Sequence, residues 1–388
     1  MSRKPTALRR ALRLLARGAM LLAAGAVILA ALRGSCWTYA NPPAGPGVTD
    51  AHHLVSSQMV WDPKWSPDGQ FIAYARERFT VHTPPGDNWF EGAILRAIAD
   101  QECESQWSLW VVPARGGARR QVPLDRLPFD SVSTNPTFCW SHDSRSLMVT
   151  RVWSTGPRDA DGTPSVQGAE DLTRYSFEVY AVDVRDGTCT EVASVPISAA
   201  HDHFRPVGFW LTPDPSGRWL AIDGRDPVTS SFRLAIIDLE AGKLIKVGEP
   251  AGDQMDVLAG PRATWGTDGR IYFEGIRPGE SHPYEIWSVD EDGGSARQET
   301  VGPDDRHPAA DPVGARLAFF RGRNIYLREA NGTVRPLVED GYQGRPGWPY
   351  GPVTWSPDGE RIAFQWNVNY RTSIWTAEVL PPEGAQTE

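Results

Sequence analysis

The sequence predicts an all-β fold, a six-bladed β-propeller of four-stranded antiparallel blades whose last blade is closed by a strand from the N-terminal side. Three observations carry this expectation. The decapeptides WSPDGQFIAY at 65–74 and WSPDGERIAF at 355–364 nearly coincide, and four worn copies lie between them. Alternating strand–turn–strand stretches centred on glycine follow the copies. The turn glycines Gly269, Gly314 and Gly359 stand 45 residues apart, the length of one four-stranded blade.

The N-terminal part is of different material. Residues 1–17 carry Arg3, Lys4, Arg9, Arg10, Arg13 and Arg17 and no acid, and residues 18–32 are uncharged and apolar. A basic leader before an apolar run is a signal peptide or signal-anchor helix, expected over 1–40, with everything after it on the outer side of the membrane. Fifteen apolar residues fall short of a full span of roughly 20. Arg33 can snorkel, and Trp37 and Tyr39 suit the outer interface, which favours a retained anchor; TYA at 38–40 is the competing cleavage site. Cys36 follows Arg33 where a lipidation signal wants an aliphatic residue. Residues 41–49, opening with NPPAGPG, read as a stiff linker, 50–380 as the propeller and 381–388 as a tail.

In WSPDG, Pro suits the second turn position, Asp caps the backbone beyond it, and Gly accepts a positive φ. The apolar run behind it fits a strand buried on both faces. The worn copies are WSHDSRSLMVT at 140–150, TPDPSGRWLAI at 212–222, WGTDGRIYF at 265–273 and ADPVGARLAF at 310–319, and a proline precedes every turn. Outer hairpins follow five copies, from SLWVVPARGGARRQV to NIYLREANGTVRPLV, but the sixth has only SIWTAEVL before the sequence stops. The missing strand is expected from 51–57, AHHLVSS, so that no sheet edge stays open. Longer early spacings imply insertions at 79–106 and 154–175. The first holds an amphipathic helical pattern over 88–102, and the second is polar and Gly-rich.

On these residues the chain resembles the TolB-type, WD40-like β-propeller family, over roughly 50–380. The motif is specific for the fold. The resemblance implies a range of roles, from periplasmic scaffolds that bind other proteins to propellers attached to peptidases. It also gives the 16 tryptophans a place, in the wedges between blades.

The composition, 40% hydrophobic and 22% charged in 388 residues, is that of a soluble body. A net charge of −9 forgoes the counterion release that drives nucleic-acid binding, so nucleic acid is not an expected partner. Cys103, Cys139 and Cys189 lie in no CxxC pattern; two of them can pair, or all stay thiols. G-x-S-x-G, H-E-x-x-H, Walker A and G-x-G-x-x-G are absent from the sequence.

One polar cluster stands out. HDHFRP at 201–206 leads into an innermost strand, with His201 and His203 on one side. Together with Asp202, Arg205, Arg262, Arg306, His307, Trp348 and Tyr350 it is expected to ring the channel mouth. His201 and His203 are the weak metal candidates, needing a third ligand; no cofactor is otherwise expected. The bland alternative is a solvated rim. The acidic turn at 303–305 reads as solvated and NGT at 331–333 as a hairpin turn. The functional expectation is a non-catalytic binding propeller on the outer side of the cytoplasmic membrane. It would present loops and a channel mouth to an envelope protein or a small ligand and hold the membrane through its N-terminal segment. The alternative is a metal-dependent lyase or hydrolase using the channel His/Asp/Arg set.

Overall fold

A computed structural model describes residues 43–57, 59–82, 102–129, 137–154, 174–198, 205–225, 232–248, 262–275, 284–291, 295–340, 347–368 and 371–382. The expected leader helix over 1–40 lies outside them, as does the helical pattern over 88–102 except for Glu102, which opens a strand instead. Among the described residues there is no helix long and apolar enough to cross a membrane.

The strands form six four-stranded antiparallel sheets. The first described strand is β1 (Val48–Ser57). Blade 1 is β2 (Val60–Trp65), β3 (Phe71–His82), β4 (Glu102–Pro113) and β5 (Arg120–Gln121). Blade 2 is β6 (Phe138–Trp140), β7 (Ser146–Ser154), β8 (Arg174–Asp183) and β9 (Cys189–Ser198). Blade 3 is β10 (Arg205–Pro213), β11 (Trp219–Arg225), β12 (Phe232–Asp238) and β13 (Lys243–Gly248). Blade 4 is β14 (Ala263–Trp265), β15 (Arg270–Gly275), β16 (Glu285–Asp290) and β17 (Arg297–Gln298). Blade 5 is β18 (Asp305–Ala310), β19 (Leu317–Arg321), β20 (Asn324–Arg328) and β21 (Val334–Val338). Blade 6 is β22 (Trp348–Trp355), β23 (Arg361–Val368) and β24 (Arg371–Val379), with β1 as its outer strand.

The closing pair is antiparallel, with His53 opposite Trp375, Val55 opposite Ile374 and Ser57 opposite Thr372. Asp50 and Arg361 tie it at one end, Nη1 to Oδ2 2.8 Å. His53 stacks edge-on against Trp375, which gives the HH pair at 52–53 a structural use.

Each WSPDG turn builds its own scaffold. Ser66 Oγ–H donates to Asp68 Oδ1 at 2.6 Å, and the amides of Gln70 and Phe71 donate back to Asp68 and Ser66. Ser141 and Asp143 repeat the arrangement, with Ser144 in the left-handed region where other copies have glycine. Gly314, counted with the turn glycines from its spacing, does not adopt a positive φ; there the Arg316–Asp311 ion pair braces the turn.

Six apolar clusters hold the ring, one at each seam between neighbouring blades. The motif tryptophans work across those seams. Trp140, Trp265 and Trp355 each donate the indole N–H to a first-strand carbonyl of the preceding blade: Lys64 O at 2.9 Å, Thr212 O at 3.2 Å and Ala309 O at 2.9 Å.

The expected insertions are narrower than their sequence bounds. Residues 79–82 and 102–106 continue β3 and β4, whose ladder runs six pairs past the last β2–β3 pair, from Glu77 with Trp107 to His82 with Glu102. Ser154 and Tyr175 likewise pair in β7 and β8. The reading of 303–305 as solvated needs correcting. Asp305 is fully buried, because Arg321 holds it with Nε to Oδ1 at 2.7 Å. NGT at 331–333 is the β20–β21 turn, with Gly332 at φ 85°. Cys139 and Cys189 are free thiols; burial pushes the Cys139 thiol up to about 12.

Trp355→Phe keeps the ring but removes the indole N–H bond to Ala309 O. It is expected to cost about 0.5–1.5 kcal/mol in chemical denaturation. Trp65→Phe is the control, because Trp65 Nε1 has no partner among the described residues and should cost less. Equal losses would contradict the seam-bond account.

Candidate functional site at the channel mouth

The first strands of three blades break their ladders at an X–Pro step. The register jumps between Trp61 and Lys64 in β2, Arg306 and Ala309 in β18, and Tyr350 and Thr354 in β22. The residue before each proline is left-handed: Asp62 at φ 53°, His307 at 54° and Gly351 at 72°. For Asp62 and His307 this stores strain of about 1–3 kcal/mol. At Gly351 a side chain would collide with Gln365. At two of the bulges the second strand of the preceding blade accepts the freed amide. His307 N–H donates to Glu274 Oε2 at 3.1 Å, and Asp62 N–H donates to Gln365 Oε1 at 3.3 Å. In blade 3 the acceptor is Asp223, 2.8 Å from Trp210 N.

The bulges open a cavity of about 740 Å³ at the end of the channel where first strands begin and second strands end. Its wall includes Trp61, Asp62, Trp210, Arg262, Glu274, Asp304, and also Arg306, His307, Arg323, Trp348 and Tyr350. The Arg262 guanidinium lies 4.0 Å over the Trp210 ring, and Arg323 lies 4.7 Å over Trp348. Arg306 stacks on Tyr284 and pairs with Asp304, Nε to Oδ1 2.9 Å. Lys64 reaches Asp62, Nζ to Oδ2 3.3 Å, from the channel below. Trp61 and Tyr350 meet edge to face at 5.7 Å. Trp61 Nε1, Arg262 Nη1 and His307 Nδ1 are buried and lack a hydrogen-bond partner among the described residues.

Burial dominates the electrostatics. It pushes the Glu274 carboxyl up to about 7, although the His307 amide, Arg262 and Arg306 pull it down. It lowers Arg262 to about 10, against the pull of Asp62 and Glu274. It also raises Asp62, with Lys64 and Arg262 opposing. His307 falls well below the usual imidazole range through burial and the nearby Arg262 and Arg306 charges, so the ring is neutral.

Of the residues singled out in the sequence, Arg262, Arg306, His307, Trp348 and Tyr350 share this one cavity. Arg205 opens β10 opposite Arg225. His201, Asp202 and His203 lie outside the described residues. Among the described residues no group of three His, Cys, Asp or Glu could hold a metal ion. Glu274, Gln365 and Asp223 were missed. Their signal is a polar residue at the end of an apolar second-strand run, in IYFEG, IAFQW and LAIDG.

No protein-family model and no curated protein matches the sequence. Among solved structures, TolB from Acinetobacter baumannii is 14% identical with a TM-score of 0.44, over 71% of this chain and 61% of that one. The chain thus spans less than two thirds of that protein's length. A putative TolB from Agrobacterium tumefaciens is 16% identical with a TM-score of 0.46, over 83% of this chain and 91% of that one. The β-propeller domain of the Trilobed protease from Pyrococcus furiosus is 13% identical with a TM-score of 0.43, over 86% and 100%. The six-bladed propeller itself rests on the strand order of the six sheets.

A Glu274 carboxyl raised to about 7 binds its proton more tightly in the folded state than in the unfolded one. Its contribution to stability is greatest at acid pH and is lost as pH rises through about 7. Glu274→Gln keeps the acceptor for His307 N and removes the titration. The variant should therefore gain in unfolding temperature relative to the parent at about pH 8 compared with about pH 5. The same difference at both pH values would refute the buried-acid assignment.

Proposed function

We propose that the chain is a non-catalytic binding module on the outer side of the cytoplasmic membrane. Residues 1–40 hold it there, and the channel-mouth cavity receives a small ligand or a segment of an envelope protein. The observation that carries this reading is the cavity itself, where aromatic faces alternate with buried polar atoms that no described protein group satisfies. Rigid walls suit recognition, because a preformed site loses little conformational freedom on binding. The β3–β4 ribbon extends past β2 on this same face, and the insertions at 79–106 and 154–175 are the proposed specificity elements.

A ligand that binds only the folded state raises its unfolding temperature. Thermal-shift screening of the purified protein should find such a ligand. Trp348→Ala and Tyr350→Ala, both on the cavity wall, should weaken it about tenfold or more without moving the unliganded transition. Turnover of the ligand would replace this reading with an enzyme. So would a stoichiometric metal lost on His201→Ala and His203→Ala.

A further inference from the structure

We propose that the channel-mouth cavity recognises a carboxylate, with Arg262 as its anchor and Trp61 as its second donor; this rests on the binding reading above and names its ligand class. The Arg262 guanidinium lies flat on Trp210, so its face is occupied and its edge is left for hydrogen bonding. Nη1 on that edge is buried without a partner among the described residues. Buried unpartnered donors are rare, and a charged one is costlier than a neutral one. The nearest carboxylates are engaged elsewhere: Asp62 with Lys64, and Glu274 with the His307 amide.

Arginine N–H and indole N–H groups can only donate. The complementary ligand group must therefore accept, and at the Arg262 edge an anion accepts best. The charge around the site agrees. Arg262, Arg306, Arg323 and Lys64 face Asp62, Glu274 and Asp304, and the neutral His307 adds nothing to either side. Arg306 pairs with Asp304, Lys64 with Asp62 and Arg323 with Asp340, so protonation of Glu274 leaves a single positive charge, on Arg262. That surplus suits a monoanion; a dianionic phosphate would meet Asp62 as a like charge. The walls of Trp61, Tyr350, Phe320 and Trp348 favour an apolar or aromatic body next to the carboxylate. A free small acid and the C-terminal carboxylate of a peptide share this chemistry. Protonation of Glu274, whose carboxyl sits near about 7, removes a negative charge beside Arg262 and strengthens either one toward acid pH. The groups that act on Glu274 there are the His307 amide, Arg262, Arg306 and Asp304.

The test titrates the full folded protein with benzoate, benzamide and phenyl phosphate. It also uses one hexapeptide pool with free C-termini and the same pool amidated. Tryptophan fluorescence and calorimetry follow binding. We expect an acid, benzoate or the free-terminus pool, to bind about tenfold or more tightly than its amide, the ratio of one charge-assisted hydrogen bond. Affinity should be higher at about pH 6 than at about pH 8, with the Glu274→Gln variant insensitive to that change. Benzoate against peptide acids separates the two sources. Arg262→Gln, checked for an unchanged unfolding temperature, should erase the acid preference, and Trp61→Phe should reduce it. The acid–amide comparison in the unmodified protein stands even if Arg262→Gln does not fold. Amides that bind as well as acids would overturn the carboxylate assignment while leaving the binding reading intact. Phenyl phosphate binding more tightly than benzoate would overturn it, as would failure of every acid probe.

Discussion

In every second strand, neighbouring side chains point into different seams: Ile72 and Tyr74 pack against blade 6, while Ala73 and Ala75 pack against blade 2. A sheet buried on both faces has no solvated side, so no blade is complete without a neighbour on each hand. The ring must therefore close. Left open, it would expose two large apolar faces and the unpaired edge of β24. β1 prevents that. Val55 brings its side chain into the same cluster as Ile374, Val60 and Ile72, so the closing strand joins the first and last blades through one apolar seam.

The site follows from that closure. Six first strands are crowded around an axis, and three of them relieve the crowding with an X–Pro bulge. A bulge releases an amide, which then needs an acceptor in a place water reaches poorly. Glu274 and Gln365 supply it from the preceding blade, so the seam between blades and the wall of the cavity are built by the same residues. Glu274 thereby becomes a buried acid beside the buried Arg262 guanidinium, and burial pushes both toward their neutral forms. Glu274 thus serves two ends, holding the His307 bulge and setting the charge beside Arg262.

Much of the fold was legible in the sequence, because turns are local. WSPDG needs only its own residues to define a reversal, and five outer hairpins against six inner ones implied the borrowed strand at 51–57. Local signals were less reliable where partners are distant. Asp305 reads as a turn acid until Arg321, its cross-strand partner in β19, pairs with it. The ends of 79–106 read as part of an insertion because the strand pairing of Phe79 with Ser105 leaves no mark on either residue alone. The site was half legible. Arg262, Arg306, His307, Trp348 and Tyr350 could be placed by their position before or within the first strands. Glu274 and Gln365 act across a seam, so their role depends on which blade precedes which, and that order is absent from any single repeat.

Native-state hydrogen exchange of β1 measures the closure most directly. The account predicts that the backbone amides which pair β1 with β24 exchange only through global unfolding, as slowly as those of Ile362 and Phe364 in β23. Exchange by local opening, at the pace of a frayed outer strand and with β23 still protected, would contradict it.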